Sequence, residues 1–231
     1  MRVAFLVPST TFMREEWKSA EDTYLWNILC VSLEDHMPQH QIKLFIGYDY
    51  DDVIYSKESE RLKFNHFKKF EIEWVEMGKE YKGKVTSIWN KLSEVCIQQD
   101  YQYMKILGDD IFIPTDRGWL GYMIKQLKKN NNIGFSAGWS NNDDIPTQFL
   151  IHKKHVDIFE FVYPPLIEAW FCDNFMYEIY PNKYRNWNKG YHLLNCGGKP
   201  RYIPKDDKKL CDFLLKRYRP RLNRFLQKLN E

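Results

Sequence analysis

Apolar and polar positions follow two alternating patterns along the chain. Short continuous apolar runs at residues 3–7, 43–48 and 104–107 are typical of strands that a sheet buries on both faces. Residues 85–96 and 119–130 instead repeat apolar side chains with the 3.6-residue period of a helix that buries one face. This alternation of strands and helices predicts an α/β fold.

Shorter segments continue the alternation to the end of the chain. The predicted strands are residues 70–75, 133–137, 148–152 and 191–196, and the predicted helices are residues 23–33, 155–161, 170–179 and 208–228. We expect one domain over residues 1–205, because this range shows no linker and no repeat. Residues 206–231 are predicted to form a basic amphipathic helix, bent or broken near Pro220. Its basic side either docks on an anionic membrane or is solvated while the helix packs on the domain, and we favour packing.

Composition and charge exclude several classes of protein. The 231 residues carry 34 basic and 31 acidic side chains, and a net charge of +3 does not indicate a nucleic-acid binder. The 5 cysteines are scattered without a C-x-x-C pair, which argues against a zinc site or a disulfide framework and fits a reducing cytosol. No apolar stretch approaches the length of a membrane span, and the N-terminal run is too short for a signal peptide. We therefore expect a cytoplasmic location.

Two adjacent carboxylates follow the apolar run at residues 104–107. Gly108, Asp109 and Asp110 come directly after it and precede a second apolar run that ends at Pro114. Buried, unpaired carboxylates are costly, so they need a positive partner. That partner is either an Arg or Lys side chain or a hard divalent metal that also holds a diphosphate. A solvated turn is the alternative, since Gly-Asp-Asp also suits a β-turn.

Polar residues also follow the first two predicted strands. Pro8, Ser9 and Thr10 form the loop after the first strand, where α/β folds bind nucleotides. Asp49 follows the second strand and is a candidate to accept hydrogen bonds from a base or a ribose. The acidic residues behind it, Asp52 among them, are expected to form a solvated turn.

The helix at residues 85–96 begins after a loop with two glycines and three lysines. Lys84, the last of these, is a candidate contact for an anionic group at the start of the helix, although such loops are often only solvated. Asn90 falls on the polar side of the same helix. Neither residue can be assigned to a ligand from its position alone.

Three later residues are candidates for binding or catalysis. Asp173 is flanked by aromatic residues, Trp170 among them, and is either a helix cap or a site residue with a raised pKa. His192 begins a predicted strand and is either a metal ligand or structural. Trp139 opens a polar loop that suits sugar stacking, with an ordinary surface loop as the alternative.

The order of these parts resembles that of the GT-A glycosyltransferases, small enzymes that use nucleotide-diphosphate sugars. The resemblance is greatest to the compact members encoded by large DNA viruses and their bacterial relatives, and it extends from Arg2 to about Ile203. It implies a GT-A type fold, with a Rossmann-like mixed central sheet flanked by helices. It also implies a location in the host cytoplasm if the source is a virus.

The resemblance also implies roles for individual residues. Pro8, Ser9 and Thr10 would hold the nucleotide, and Asp49 would meet the base. Lys84 and Asn90 would lie near the donor. Asp109 and Asp110 fall on the D-x-D motif, Asp173 falls on a W-x-x-D acceptor segment, and His192 falls on a late H-x(n)-G-x-x-R-Y element. Glycine stands where the first carboxylate of D-x-D belongs, so the ribose contact passes to Asp109. Asp110 would bind Mn²⁺ or Mg²⁺, and His192 would complete the metal shell.

The activity implied is transfer of a sugar from a nucleotide-diphosphate donor, with UDP as the first guess, to a hydroxyl of a glycan or glycoconjugate acceptor. Asp173 would act as general base if the enzyme inverts configuration, or would orient the acceptor if it retains configuration. A nucleotidyltransferase should carry a glycine-rich basic loop after its first strand, which Pro8–Thr11 is not. An RNA polymerase needs a longer chain, and a non-catalytic sugar-binding protein would not explain the paired carboxylates.

Overall fold

A seven-stranded mixed sheet runs through the residues that this computed structural model describes, which are 1–36, 40–115, 118–198 and 206–229. Its strands are β1 (Arg2–Pro8), β2 (Gln41–Asp49), β3 (Glu71–Met77), β4 (Tyr103–Ile106), β6 (Phe135–Trp139), β7 (Leu150–His152) and β8 (Arg185–His192), and a separate two-stranded ribbon pairs β5 (Ile111–Phe112) with β9 (Leu194–Asn195). The order across the sheet is β3-β2-β1-β4-β7-β6-β8.

The direction of the strands divides the sheet into two parts. β1 pairs in parallel with β2 on one side and β4 on the other, and β3 continues the parallel half. β7 then runs antiparallel to both β4 and β6, while β6 and β8 are parallel. The predicted Rossmann-like mixed sheet is therefore confirmed. The strand order reverses between β1 and β4, and open α/β sheets bind ligands at the carboxyl ends of such a pair.

Helices cover both faces of the sheet. They are α1 (Val31–Asp35), which continues a π-helical turn at Leu25–Cys30, α2 (Glu58–Lys63), α3 (Val85–Gln98), α4 (Trp119–Lys129), α5 (Lys154–Phe159), α6 (Cys172–Ile179) and α7 (Lys208–Lys228). Alternation along β1 shows how the core divides: Ala4 and Leu6 join the cluster with α3, α6 and α7, whereas Phe5 joins the cluster with α4. Each face buries one apolar layer, as the continuous apolar run predicted.

Some predicted elements differ from those observed. β8 was not predicted over most of its length, because as an edge strand paired only with β6 it is half-exposed and lacks a buried apolar run. The predicted strand at residues 191–196 is split between the end of β8 and the ribbon strand β9. α7 is neither divided nor ended at Pro220, because leucines on both sides of the proline are buried against the domain. No helix among the described residues combines the length and apolarity that a membrane crossing requires.

Candidate functional site

A cavity of about 1090 Å³ opens at the carboxyl ends of β1, β2 and β4. Its walls come from the loop after β1, the start of α3, the turn after β4, the loop after β6 and the segment that leads into α6. The predicted site residues that line it are Pro8, Ser9, Thr10, Asp49, Lys84, Asp109, Asp110 and Asp173. Asn90 and His192 do not line the cavity.

The loop after β1 and the turn after β4 are joined by a buried hydrogen bond. The Ser9 hydroxyl donates to Asp109 Oδ2 at 2.7 Å, and Ser9 Oγ lies 3.1 Å from the Tyr55 hydroxyl. Asp109 is only 1% exposed. This contact closes the floor of the cavity at the point where the strand order reverses, and it leaves Asp109 as part of the floor rather than a solvated turn.

Asp110 is enclosed by glycines. A Cβ added at Gly197 would overlap Asp110 Oδ2, and one at Gly108 would lie 2.5 Å from Asp110 Oδ1. The Cys196 N–H donates to the Asp110 carbonyl at 2.9 Å, which fixes the backbone beside the β5–β9 ribbon. Residue 108 is therefore a glycine at a position where the Asp110 carboxylate lies too close for a side chain.

The chemistry of the two carboxylates fits the divalent metal that the resemblance implies. Hard cations such as Mg²⁺ accept one or two protein carboxylates and complete their shell with substrate phosphates and water. Asp110 lines the cavity beside Asp109, and the lack of a side chain on Gly197 lets its backbone pack against the Asp110 carboxylate. Asp110 and Asp109 are thus the residues suited to hold such an ion.

Gln148 supports the turn that carries these carboxylates. Its side-chain Oε1 accepts the Gly108 N–H at 3.0 Å, and its backbone has the left-handed φ of 54°. The carbonyl of Gln148 accepts a hydrogen bond from the amine of Lys105, which is fully buried. Burial lowers the pKa of the Lys105 amine well below its usual range. A strained backbone is thus held in place by a buried donor directly behind the site.

Asp49 places a partly unsatisfied carboxylate at the end of β2. Its Oδ2 accepts the Thr10 hydroxyl at 2.9 Å, whereas its Oδ1 is buried and has no hydrogen-bond partner in the described part of the protein. Burial raises the pKa of the Asp49 carboxyl, and the bond from Thr10 opposes that rise. A buried acceptor without a donor is costly, so Asp49 is ready to accept an N–H from a ligand.

The expected solvated turn at Asp52 is wrong. The Asp52 carboxylate is 5% exposed and accepts hydrogen bonds from the backbone of Thr11, Ile54 and Tyr55, at 2.7 to 3.0 Å. It ties the loop after β1 to the loop after β2, because the backbone N–H groups of both loops need acceptors. The residue therefore shapes one wall of the cavity without lining it.

Helix α3 begins at the cavity and anchors several segments around it. Lys84 is the residue before its first turn, and a helix N-terminus with a lysine beside it favours anionic groups. The Trp89 indole donates to the carbonyls of Leu6 and Leu107, at 3.1 and 3.3 Å. The Thr86 hydroxyl donates to the Ile167 carbonyl. α3 thereby joins the sheet edge to the segment that leads into α6.

Asn90 anchors a third segment instead of reaching the cavity. Its Oδ1 accepts the N–H groups of Val162 and Tyr163 at 2.8 and 2.9 Å, and its Nδ2 donates to the Tyr163 carbonyl at 2.8 Å. All three bonds go to backbone, so the side chain has an internal structural role. The expected place near the donor is therefore not observed for Asn90.

Asp173 lies in the first turn of α6 at another wall of the cavity. The Tyr163 hydroxyl donates to its Oδ1 over a long distance of 3.4 Å. Burial raises the pKa of the Asp173 carboxyl to about 7, and the bond from Tyr163 opposes that rise. Burial also raises the pKa of the Tyr163 hydroxyl well above its usual range, so that Tyr163 remains a donor. A carboxyl that titrates near neutral pH is suited to take or give a proton.

His192 and Trp139 lie together outside the cavity. Their ring centroids are 5.2 Å apart, His192 is exposed, and the Trp139 indole donates to Asp143 at 3.0 Å. Neither ring lines the cavity, so the expected metal contact of His192 and the expected sugar platform at Trp139 are not observed. No cluster of three or more His, Cys, Asp or Glu side chains that could hold a metal occurs within the described residues. Arg201 and Tyr202, which complete the late motif, lie outside those residues.

The sequence pattern missed several residues that line the cavity, Gln148 among them. Trp170, the tryptophan of the predicted W-x-x-D segment, does line the cavity, but it precedes α6, which begins only at Cys172, and its side chain is 48% exposed. Phe171, the residue directly before α6, has left-handed backbone with a φ of 68°. Left-handed backbone also occurs at Met13, Asn141 and Gln148, all in the cavity wall, and no residue pattern announces such conformations.

Comparison with known proteins supports the fold. No protein-family model and no curated protein sequence matches the chain. S. aureus TarS 1–349 superposes with a TM-score of 0.50 and 9% identity over 86% of this chain and 59% of that one. The same protein in complex with UDP superposes with a TM-score of 0.50 and 11% identity. That match covers 84% of this chain and 60% of the TarS chain.

A cytidylyltransferase from Leptospira borgpetersenii serovar Hardjo-bovis (strain JB197) gives a TM-score of 0.51 and 10% identity, over 84% of this chain and 80% of that one. The chain therefore spans about three fifths of the TarS structures and most of the cytidylyltransferase. At these identities the likeness concerns the fold, which is the α/β, Rossmann-like mixed sheet described above.

Proposed function

We propose that the protein is a glycosyltransferase that moves a sugar from a nucleotide-diphosphate donor to a hydroxyl of a glycan or glycoconjugate acceptor. A UDP-sugar is the first candidate donor. The observation that carries the proposal is a single cavity with Asp109 and Asp110 on one wall and Asp173 on another. One pair of carboxylates suits a diphosphate with its metal, and the separate carboxyl suits an acceptor hydroxyl.

The nucleotide is held by the residues at the ends of β1, β2 and β4. Asp49 Oδ1 is a buried acceptor that needs a donor, and the N3–H of uracil supplies one. Cytosine presents an acceptor at the same ring position and would leave Asp49 unpaired. Lys84 and the start of α3 neutralise the diphosphate. The fold that the protein shares with UDP-bound TarS supports a nucleotide at this sheet edge.

Asp109 and Asp110 would hold Mn²⁺ or Mg²⁺. The ion would neutralise the negative charge that develops on the leaving diphosphate. In the inverting reaction, Asp173 accepts the proton of the acceptor hydroxyl while that oxygen bonds to the anomeric carbon. The bond from that carbon to the diphosphate oxygen breaks, and the nucleoside diphosphate leaves. If configuration is retained, the leaving phosphate takes the proton and Asp173 orients the acceptor.

A sugar-nucleotide nucleotidyltransferase is the second candidate, favoured by the cytidylyltransferase that shares the fold. Its reaction releases pyrophosphate from a nucleoside triphosphate, so the γ- and β-phosphates need a basic loop after β1. Pro8–Thr11 supplies no lysine, arginine or glycine there. A non-catalytic carbohydrate-binding protein is a third candidate, but a sugar alone gives Asp109 and Asp110 no cation to hold.

The test is a donor screen with the purified chain and Mn²⁺. UDP-, GDP- and dTDP-sugars are monitored for release of nucleoside diphosphate, and nucleoside triphosphates with sugar phosphates are monitored for pyrophosphate. We expect slow hydrolysis of a nucleotide-sugar, with UDP-sugars preferred. Pyrophosphate release would favour the second candidate. Thermal stabilisation by free sugars alone, without donor turnover, would favour the third.

A further inference from the structure

The positive charge of the protein is concentrated on one helix. Residues Lys208–Lys228 of α7 contain eight basic and one acidic side chains, a net charge of +7. The whole chain carries +3, so the remainder carries −4. An anionic partner is therefore attracted to α7, whereas the rest of the chain has a small net negative charge.

The side of α7 that faces the domain is already satisfied. Cys211, Leu214, Leu215 and Leu222 are buried against α5 and α6. Arg221 pairs with Glu160 at 2.9 Å, and another arginine of the helix donates to a backbone carbonyl of α6. These contacts hold the helix in place and explain why its outer side can be polar.

The outer side carries a stripe of cations around one exposed ring. Lys209, Phe213, Lys216, Arg217 and Arg224 are exposed and are spaced three, four and seven residues apart, which places them on neighbouring positions of one helical face. Phe213 is 56% exposed. Within the described ranges, none of these four cations has a carboxylate partner. The stripe therefore offers unpaired positive charge and an unburied aromatic ring together.

We propose that this face of α7, here called the basic face, docks on an anionic lipid bilayer. Cations suit the lipid headgroups, and a ring between them suits the boundary between headgroups and acyl chains. Nucleic-acid binding sites combine a helix or groove with a broad basic surface, whereas the rest of this chain carries a net charge of −4. The observations thus favour lipid over nucleic acid.

The inner side of α7, opposite the basic face, begins beside the cavity. The Cys211 thiol lies 3.7 Å from the carbonyl of Phe171, and Phe171 and Trp170 line the cavity. A docked membrane would therefore lie across α7 from the Asp173 end of the site, about one helix diameter away, within reach of a lipid-linked acceptor. This consequence rests on the proposed function, whereas docking itself does not.

The test is flotation of the full chain with vesicles, without nucleotide or acceptor. We expect binding to vesicles of phosphatidylcholine mixed with phosphatidylglycerol, none to phosphatidylcholine alone, and loss of binding when ionic strength rises from about 0.05 M to about 0.5 M. The triple variant Lys209→Glu, Lys216→Glu, Arg217→Glu should bind at least tenfold less, and Phe213→Ala severalfold less.

A matched control reverses three exposed lysines on α4, as Lys125→Glu, Lys128→Glu and Lys129→Glu, with the same change in net charge. It should float like the wild type. Equal loss in both triple variants, equal binding to neutral vesicles, or no binding by the wild type would overturn the proposal. Binding of an oligonucleotide through the basic face without vesicle binding would overturn it in favour of nucleic acid. The wild-type salt dependence tests the proposal even if a variant fails to fold, and none of these outcomes depends on transferase activity.

Discussion

At the scale of single residues, Asp173 is half-buried in the cavity wall. Its pKa is raised to about 7 in the folded protein, against 3.8 for an ordinary aspartate. The folded chain therefore binds this proton more tightly than the unfolded chain, and ionising Asp173 costs stability as pH rises from about 4 through 7. Keeping such a group is understandable where a proton must be accepted near neutral pH.

Asp173→Asn is expected to raise the melting temperature strongly at pH 8 and by a smaller amount at pH 5, because the amide carries no charge at either pH and the penalty for ionising Asp173 grows between about pH 4 and 7. The same variant should lose sugar transfer by on the order of a hundredfold. Wild-type kcat/KM should fall as pH drops below about 7. Melting curves and transfer rates at both pH values check this. The exposed Asp144→Asn is the control, and a lower melting temperature of Asp173→Asn at pH 8 would contradict the account.

Gly197 is the residue whose lack of a side chain keeps Asp110 in place. Gly197→Ala puts a Cβ onto the Asp110 carboxylate, which must then move. Since small misplacements of site groups are costly, we expect turnover to fall by roughly tenfold to a hundredfold with little change in melting temperature. Gly121→Ala, on α4, meets only ordinary contact with His40 and serves as the control. Unchanged turnover in Gly197→Ala would show that Asp110 does not need its present position.

At the scale of elements, α3 organises the walls of the cavity. The Trp89 side chain bonds to the sheet edge, and the Thr86 side chain bonds to the segment that leads into α6. The Asn90 side chain bonds to the backbone of Tyr163, earlier in the same segment. Tyr163, whose backbone Asn90 fixes, also donates to Asp173. The helix thus positions Asp173 without touching it.

Asn90→Ala leaves two backbone N–H groups and one carbonyl without partners. We expect the free energy of unfolding to fall by about 2–4 kcal/mol, since each unsatisfied buried group costs about 1–3 kcal/mol and the segment at Val162 and Tyr163 can partly relax. Urea titration followed by circular dichroism measures this. Asn223→Ala, on the exposed side of α7, should change it by less than about 0.5 kcal/mol. Equal effects at both positions would mean that the Asn90 bonds carry no particular weight.

Elements buried on both faces could be predicted from the sequence, and elements defined by long-range contacts could not. β1 and α3 follow directly from their apolar patterns, and α3 was predicted to within two residues. β8 escaped because an edge strand needs no apolar run. Asp52 and Asn90 escaped because a polar side chain that bonds distant backbone looks in sequence like one that bonds water. Which polar residues reach the cavity is decided by tertiary packing.

At the scale of the whole molecule, the two halves of the sheet are combined at one edge. The parallel half brings Ser9, Asp49 and Asp109 together, and the mixed half supplies Gln148 and the segment that leads to Asp173. Four of the eight non-glycine residues with left-handed backbone in the described ranges line the cavity, and α7 carries a net charge of +7 against +3 for the whole chain. The rigid core therefore supports a site with strained walls, as binding sites often have.

The measurement that most directly tests the central claim is calorimetric binding of UDP with and without Mn²⁺ to the wild type, Asp110→Asn and His192→Ala. Asp110→Asn keeps size but removes one anionic ligand of a hard cation. We expect binding by the wild type that requires Mn²⁺, at least roughly tenfold weaker binding (about 1.4 kcal/mol) by Asp110→Asn, and no change for His192→Ala, which lies outside the cavity. If the wild type binds no nucleotide, or Asp110→Asn binds UDP with the wild-type metal dependence, the site does not hold a nucleotide-diphosphate donor in the way proposed.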